Sequence, residues 1–348
     1  MLAALAETGN PSSVHALGRR ARAAVEAARA AVAARIGAVP GGIVFTSGGT
    51  EANNLALRGL GGPVLVSAVE HDSVREAADA LEIIPVDRDG VVDLAWLERR
   101  LATAPAVLVS VMAANNETGV IQPVAEAARI ARAAGVPVHC DAVQAAGRIP
   151  VDMAAWGVDM MTVSAHKLGG PVGAGALAVR HGIAPVPLLR GGRQESGLRA
   201  GTENVAAIAG FAAAASAAAP DDGRIAALRD GLEARLRAAV PDIEIHGARA
   251  ARLPNTSCVG MAGVPAETQV IALDLAGVAV SAGAACASGK VRTSPVLAAM
   301  GMAPEAAGSA IRISLGWNTT AADVERCVAA WVALWARTRG PRAAAGAA

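Results

Sequence analysis

The stretch Asp159-Met160-Met161-Thr162-Val163-Ser164-Ala165-His166-Lys167-Leu168-Gly169-Gly170-Pro171 decides how this chain is read. It opens as an apolar strand and closes as a glycine–proline loop, with a hydroxyl, an imidazole and an amine between the two. Lys167 stands out against the composition. The chain has 31 Lys plus Arg residues, and only Lys167 and Lys290 are lysines. Arginine can supply the surface charge, so a lysine just after a buried strand points to chemistry that arginine cannot perform. Lysine can lose its proton and form imines. The plain alternative is a surface lysine beside a turn.

Strands and helices alternate outward from this stretch. A helix runs from the turn Gly9-Asn10-Pro11-Ser12-Ser13-Val14-His15 to about Ile36. Strand Ile43–Thr46 follows, then Ser47-Gly48-Gly49-Thr50-Glu51 and a helix expected over Ala52–Leu60. Strand, glycine loop and helix start present free backbone N–H groups to an anion. Strands are expected at Val64–Val69, Ala106–Met112 and Val136–Cys140, with a helix over Val124–Ala134. Nearly every polar cluster follows a strand: His71 after the second, Asn115-Asn116-Glu117-Thr118-Gly119 after the third, Asp141-Ala142-Val143-Gln144 after the fourth. The pattern predicts an α/β fold with a mostly parallel sheet, which binds ligands at the carboxyl ends of its strands. Thr50, His71, Asn116, Asp141, Gln144, Ser164, His166 and Lys167 could then line one crevice. Singly, Asp141 and His71 also read as helix caps and Asn116 as a turn residue.

Leu188–Asn204 is a long loop rich in Gly and Arg, and long loops in compact domains are usually functional. A boundary is expected near Pro220-Asp221-Asp222-Gly223, dividing a large domain, 1–222, from a smaller α/β domain, 223–348. The second part reads as helix Arg224–Val240, strands Asp242–His246 and Thr256–Val259, helix Glu267–Leu275 and strand Val278–Val280. The small-residue segment around Cys286, strand Ala310–Ser314 and helix Ala321–Arg337 complete it.

Bulk composition narrows the function. A net charge of +1 argues against nucleic acid or an anionic membrane as the main partner. The alanine-rich run Val205–Ala219 is shorter than the ~20 residues needed to span a bilayer, and the first residues lack a signal-peptide pattern. The four cysteines, Cys140, Cys258, Cys286 and Cys327, are scattered with no CxxC pair, against a zinc site or a disulfide framework. The simplest expectation is a cytoplasmic protein with reduced thiols and no resident metal. With no Tyr and two Phe, stacking on a ligand falls to Trp or His.

Taken together, the crevice residues match the needs of pyridoxal 5′-phosphate: an imine-forming lysine, an acid for the ring nitrogen and a phosphate cup. Ser-Gly-Gly-Thr-Glu-Ala-Asn-Asn (47–54), Asn-Asn-Glu-Thr-Gly (115–119), Asp-Ala-Val-Gln (141–144), Ser-Ala-His-Lys (164–167), Arg-Ala-Gly-Thr-Glu-Asn (199–204) and the Cys286 segment occur in that order. Together they resemble the cysteine desulfurases, class V enzymes of the fold-type I, aminotransferase-like pyridoxal-phosphate architecture. The resemblance runs from Gly9 to Arg312. It implies that Lys167 anchors the cofactor and moves the substrate proton, and that Asp141 pairs with the ring nitrogen. Gln144 and Asn116 would contact the ring hydroxyl, and His71 would stack on the ring. Gly49, Thr50, Ser164 and His166 would hold the phosphate, with Thr202 supplied by the other subunit of a homodimer. Asn10 and Arg312 would bind the substrate L-cysteine, Arg312 through its carboxylate. Cys286 would attack the substrate sulfur, giving alanine and an enzyme persulfide. The long segment around Cys286 resembles the subgroup that feeds iron–sulfur assembly, implying a scaffold or other sulfur-acceptor protein as partner and a thiol that could touch a nascent cluster.

Other readings stay open on sequence alone: selenocysteine lyase, class V transaminase, or a scaffold without turnover. The last rests on the eight residues before Gly9, where family members usually carry a strand and an Asn/Ala/Thr-rich loop. Lys290 and Arg292 also depart from the usual segment. Without the resemblance, Cys286 reads as a small buried thiol.

Overall fold

A computed structural model describes residues 1–7, 9–283 and 294–339. The described chain divides into two compact units. The first comprises Met1–Pro85, Val92–Ala114 and Gln122–Pro220; the second comprises Val86–Val91, Asn115–Ile121 and the described part of Asp221–Ala348.

The first unit is built on a seven-stranded sheet. Its strands are β1 (Ile43–Thr46), β2 (Val64–Ser67), β3 (Leu81–Ile84), β4 (Leu108–Ser110), β5 (Val138–Asp141), β6 (Met160–Ser164) and β7 (Gly175–Val179), in the order β1-β7-β6-β5-β4-β2-β3. Every residue of β2, β4, β5 and β6 is buried, so these strands are apolar runs covered on both faces rather than alternating ones. From β6 to β3 the pairing is parallel, while β7 runs antiparallel to both β6 and β1. Two antiparallel steps restore the direction. The carboxyl ends of β1, β2, β4, β5 and β6 therefore lie on one edge, where an open α/β sheet takes its ligand.

The register of the central strands is held by side chains as well as by the ladder. His139 shares hydrogen bonds with Ser110 Oγ at 2.9 Å through Nδ1 and with Thr162 Oγ1 at 3.0 Å through Nε2. Complete burial pushes this imidazole down to about 3, so it stays neutral and serves as a polar rung across β4, β5 and β6. Asp141 is thereby paired with Thr162, two residues before Ser164.

Helices cover the sheet with faces of the expected period. In helix Val124–Ala133 the buried residues are Val124, Ala127, Ala128, Ile130 and Ala131. Helix Ala16–Arg35 buries Ala21, Val25, Ala28 and Val32 and packs against helix Val205–Ala217, where small side chains let the two approach closely. Among the described residues no helix is long and apolar enough to cross a membrane.

The second unit has a four-stranded antiparallel sheet of β8 (Glu244–Ile245), β9 (Thr256–Gly260), β10 (Ser281–Ala282) and β11 (Ala310–Ser314), in the order β10-β11-β9-β8. Val259, Ile311 and Ile313 from the sheet meet Leu232, Leu236, Leu273 and Trp331 from its helices in the core.

Several sequence expectations are corrected here. The helix expected from Ala52 starts at Gly49, because Glu51 reaches back to accept the Ser47 N–H at 2.8 Å and closes the first turn. The second strand stops at Ser67, whose carbonyl accepts the Glu70 N–H in a turn. The strand expected over Ala106–Met112 narrows to β4. Val278–Val280 is not a strand: the Val278 N–H is spent on the Leu273 carbonyl at 2.9 Å, closing the preceding helix after Gly277 at φ 77°. Strand β7 was not anticipated.

Candidate active site

Four elements of the first unit bring their ends together. Asp141 closes β5, and its carboxylate is buried. Oδ1 accepts the Val143 N–H at 2.9 Å, and Oδ2 accepts from Asn53 Nδ2 at 2.7 Å. Burial raises this carboxyl above its ordinary range; the hydrogen bonds from Asn53 and Val143, and the charge of Lys167, act in the opposite direction.

On the neighbouring strand, Ser164 ends β6 and Lys167 lies in the 3-10 turn Ala165–Leu168 that follows. The turn presents the Lys167 side chain half-buried at the sheet edge, while its carbonyl accepts from Arg148 Nη2 at 3.3 Å. Ser164 Oγ lies 2.9 Å from His166 Nδ1. Partial burial, then the Lys167 charge, lower the basicity of His166, which favours a neutral ring.

Helix Gly49–Arg58 starts beside these residues. No side chain caps its N-terminus at Gly48. A Cβ on Gly49 would lie 3.1 Å from Val143 Cγ2 and 3.7 Å from Ser164 Cβ, so glycine lets the helix start press against the ends of β5 and β6. Thr50 is exposed in the first turn. Uncapped N–H groups with the Thr50, Ser164 and His166 side chains make an anion cradle.

His71 follows β2 and caps the short helix Asp72–Arg75. Its Nδ1 receives the Ser73 N–H at 3.1 Å and lies 2.8 Å from Ser73 Oγ. Ser73 Oγ in turn accepts from Asn53 Nδ2 at 2.9 Å. A continuous path therefore joins His71 to Asp141 through Ser73 and Asn53.

The remaining expected residues lie in loops of the first unit and in the second unit. Gln144 is half-buried in the loop after Asp141, with its carbonyl accepting from Arg148 Nη1 at 2.5 Å. Thr202 is exposed in the Leu188–Asn204 loop, and Asn10 uses Oδ1 in its own turn, accepting the Ser12 N–H at 2.9 Å. Asn116 and Arg312 belong to the second unit, where Arg312 Nη1 donates to the Asn116 carbonyl at 2.8 Å and Nη2 to Ser281 Oγ at 3.1 Å. Arg312 Nε is buried with no hydrogen-bond partner among the described residues. Cys286 and Lys290 lie outside the described residues.

The class-V aminotransferase family model matches residues 4–327. A cysteine desulfurase of Cereibacter sphaeroides is 46% identical over 337 residues, 92% of this chain and 87% of its own. Cysteine desulfurase IscS 1 of Archaeoglobus fulgidus is 42% identical, over 91% of this chain and 87% of its own. Among solved structures, a NifS-like protein from Rickettsia africae superposes with a TM-score of 0.89 at 36% identity, covering 96% of this chain and 94% of its own.

The chain belongs to the cysteine desulfurases of the class-V aminotransferase family.

The residues of this desulfurase-family chain fit the family's cofactor on chemical grounds. Asp141 is a buried carboxylate that a protonated ring nitrogen would neutralise, and the uncapped helix start would receive a phosphate. Sequence reasoning did not assign Asn53, Ser73 or Glu70. Asn53 had a signal: a buried asparagine in a helix interior is unfavourable unless something outside the helix uses its amide.

Glu70 is a second buried acid near Asp141. Its Oε1 accepts the Met112 N–H at 2.5 Å, and its Oε2 is buried without a hydrogen-bond partner among the described residues. Burial, then the nearby Asp141 charge, push this carboxyl well above the usual carboxylate range. A folded-state pKa above the unfolded one means that the folded chain holds a proton the unfolded chain releases. The stability is present at pH below the unfolded value and is lost as pH rises through the folded value. Glu70→Gln keeps an acceptor for Met112 and cannot ionise. It should flatten the fall in Tm as pH rises above the ordinary carboxylate range and raise Tm at the upper end by roughly 2–4 °C. Calorimetry over that rise in pH checks it; a wild-type slope in the variant would show that Glu70 does not titrate there.

Proposed function

We propose that this chain is a pyridoxal-phosphate-dependent cysteine desulfurase that converts L-cysteine to L-alanine, leaving the sulfur as a persulfide on Cys286. The observation that carries the reading is the grouping at one sheet edge: the buried Asp141 carboxylate at the end of β5, Lys167 just past the end of β6, and the uncapped helix start at Gly49. The 46%-identical cysteine desulfurase relative supports the substrate assignment.

Bound pyridoxal phosphate supplies an electron sink for the bonds broken at the substrate. The chain's residues do the rest. Lys167 would hold the cofactor covalently and would take and return the proton at the substrate α-carbon. Asp141 would accept the ring N–H, with Asn53 and Val143 fixing its two oxygens. Gly49, Thr50, Ser164 and His166 would hold the phosphate, Gln144 and Asn116 would contact the ring hydroxyl, and His71 would cover the ring. Arg312 binds the substrate carboxylate, for which its unpaired Nε is available among the described groups, and Asn10 assists. The Cys286 thiolate bonds to the substrate sulfur as the carbon–sulfur bond breaks; a proton replaces sulfur on the β-carbon, so cysteine plus thiol becomes alanine plus persulfide. A homodimer, with Thr202 reaching the partner's phosphate, and transfer of the persulfide sulfur to an iron–sulfur assembly acceptor complete the reading.

The other cysteines do not compete. Cys140, Cys258 and Cys327 are free and buried, and burial pushes each thiol up, Cys327 to about 11. A nucleophilic thiol needs its thiolate at working pH.

The test is alanine and sulfide release from L-cysteine, with Asp141→Asn as the diagnostic variant. An amide cannot stabilise a protonated ring nitrogen, so the rate should fall about a hundredfold or more. The amide keeps only one of the two acceptors that Asp141 offers to Val143 and Asn53, so Tm should fall modestly while the rate falls far more. No alanine from wild type loaded with cofactor would remove the reading; a wild-type rate in Asp141→Asn would reduce Asp141 to a turn residue.

A further inference from the structure

Resting on the proposed reading, the geometry points to Ser73, backed by Asn53, as a positioning residue that holds His71 as the neutral tautomer with its proton on Nε2.

The donors decide the tautomer. A backbone N–H can only donate, and the Ser73 N–H points at His71 Nδ1 at 3.1 Å, so Nδ1 is an acceptor and carries no proton. The Ser73 hydroxyl could in principle act either way. Because Nδ1 carries no proton, the hydroxyl can only donate to it, at 2.8 Å, while its oxygen accepts from Asn53 Nδ2 at 2.9 Å. Two donors from one residue thus converge on one ring nitrogen. A proton placed on Nδ1 would face the amide proton directly, and the amide cannot turn away because it belongs to the first turn of the helix that His71 caps. The remaining ring proton therefore sits on Nε2.

The device also reports the state of Asp141. The same Asn53 amide nitrogen donates to Asp141 Oδ2 at 2.7 Å, and Asn53 itself is buried. An ionised carboxylate only accepts, so it holds the amide nitrogen toward both Asp141 and Ser73. Imidazole orientation and carboxylate orientation are set by one side chain. For the reaction, this gives a ring that presents Nε2–H as a fixed donor on the side away from Ser73.

The test is two-bond 1H–15N correlation of the histidine rings in the full-length protein, with His71 assigned by its loss in His71→Gln. Wild type should show His71 Nδ1 as the unprotonated nitrogen near neutral pH. Ser73→Ala leaves only the backbone donor at 3.1 Å and frees the ring to rotate away from it, so the His71 nitrogen shifts should move toward a mixture of the two tautomers. With L-cysteine, kcat should fall about fivefold, the loss of one ordinary hydrogen bond, with KM within about twofold. Ser73→Thr should restore both shifts and kcat. His71 protonated on Nδ1 in wild type, or Ser73→Ala with unchanged His71 shifts, overturns the proposal. The shifts do not depend on turnover: a Ser73-dependent tautomer in a chain that releases no alanine supports the positioning role and removes only the desulfurase reading.

Discussion

Lys167→Ala is expected to lose alanine and sulfide release from L-cysteine by about a thousandfold or more, because the variant lacks both the covalent anchor and the proton carrier. Folding should survive. The 3-10 turn that carries residue 167 is held through its backbone, with Arg148 donating to the Lys167 carbonyl and the Gly170 N–H to the Ala165 carbonyl at 2.9 Å. Neither bond uses the amine. The cofactor should still be retained, less tightly, by the helix start at Gly49 and the Ser164 and His166 side chains, so equilibrium dialysis should find it bound. The chain has one other lysine, Lys290, which belongs to the Cys286 segment. Stopped assays with unchanged circular dichroism check the prediction. Ordinary turnover by the variant would remove the active-site assignment as a whole.

Cys286→Ala should separate the two halves of the reaction. Binding of L-cysteine and the accompanying change in visible absorbance depend on Lys167, Asp141 and the phosphate cradle, none of which needs the thiol. Sulfur transfer needs a nucleophile, and a methyl group offers none. Persulfide on the enzyme, read by intact mass, and sulfide released by reductant should both drop to the level of a protein-free control. An ordinary thiol with a pKa of ~8.5 is only a few per cent ionised near neutrality, and a cation such as Lys290 would raise that fraction. The segment is flanked by a fixed base: Ser294 Oγ donates to Glu117 Oε2 at 2.6 Å, and a Cβ on Gly283 would come within 2.9 Å of the same oxygen. Persulfide found in wild type on Cys140, Cys258 or Cys327 instead would overturn the choice of nucleophile.

The sequence by itself determined what depends on neighbours along the chain. Apolar runs of four or five residues between helical periods made the α/β class legible, and polar clusters after strands marked the sheet edge. Lys167 was legible because lysine is so scarce here, and the ordered motifs carried the family. Those signals are local, and each survives in an unfolded chain. Tertiary structure decided what depends on distant partners. Strand β7 is rich in Gly and Ala, and only its pairing with both β6 and β1 shows that it turns β1 parallel to the rest. Asn53 meets Ser73 twenty residues away and Asp141 eighty-eight away, so no window of sequence contains the bridge. Glu70 stands beside His71 in the sequence with nothing local to mark it, because its standing as an acid comes from burial and from the Asp141 charge. Residue type names the chemistry a side chain can perform. Which lone pair is occupied, which proton is held and which charge is uncompensated are set by desolvation and by groups that only the folded chain brings within hydrogen-bond distance.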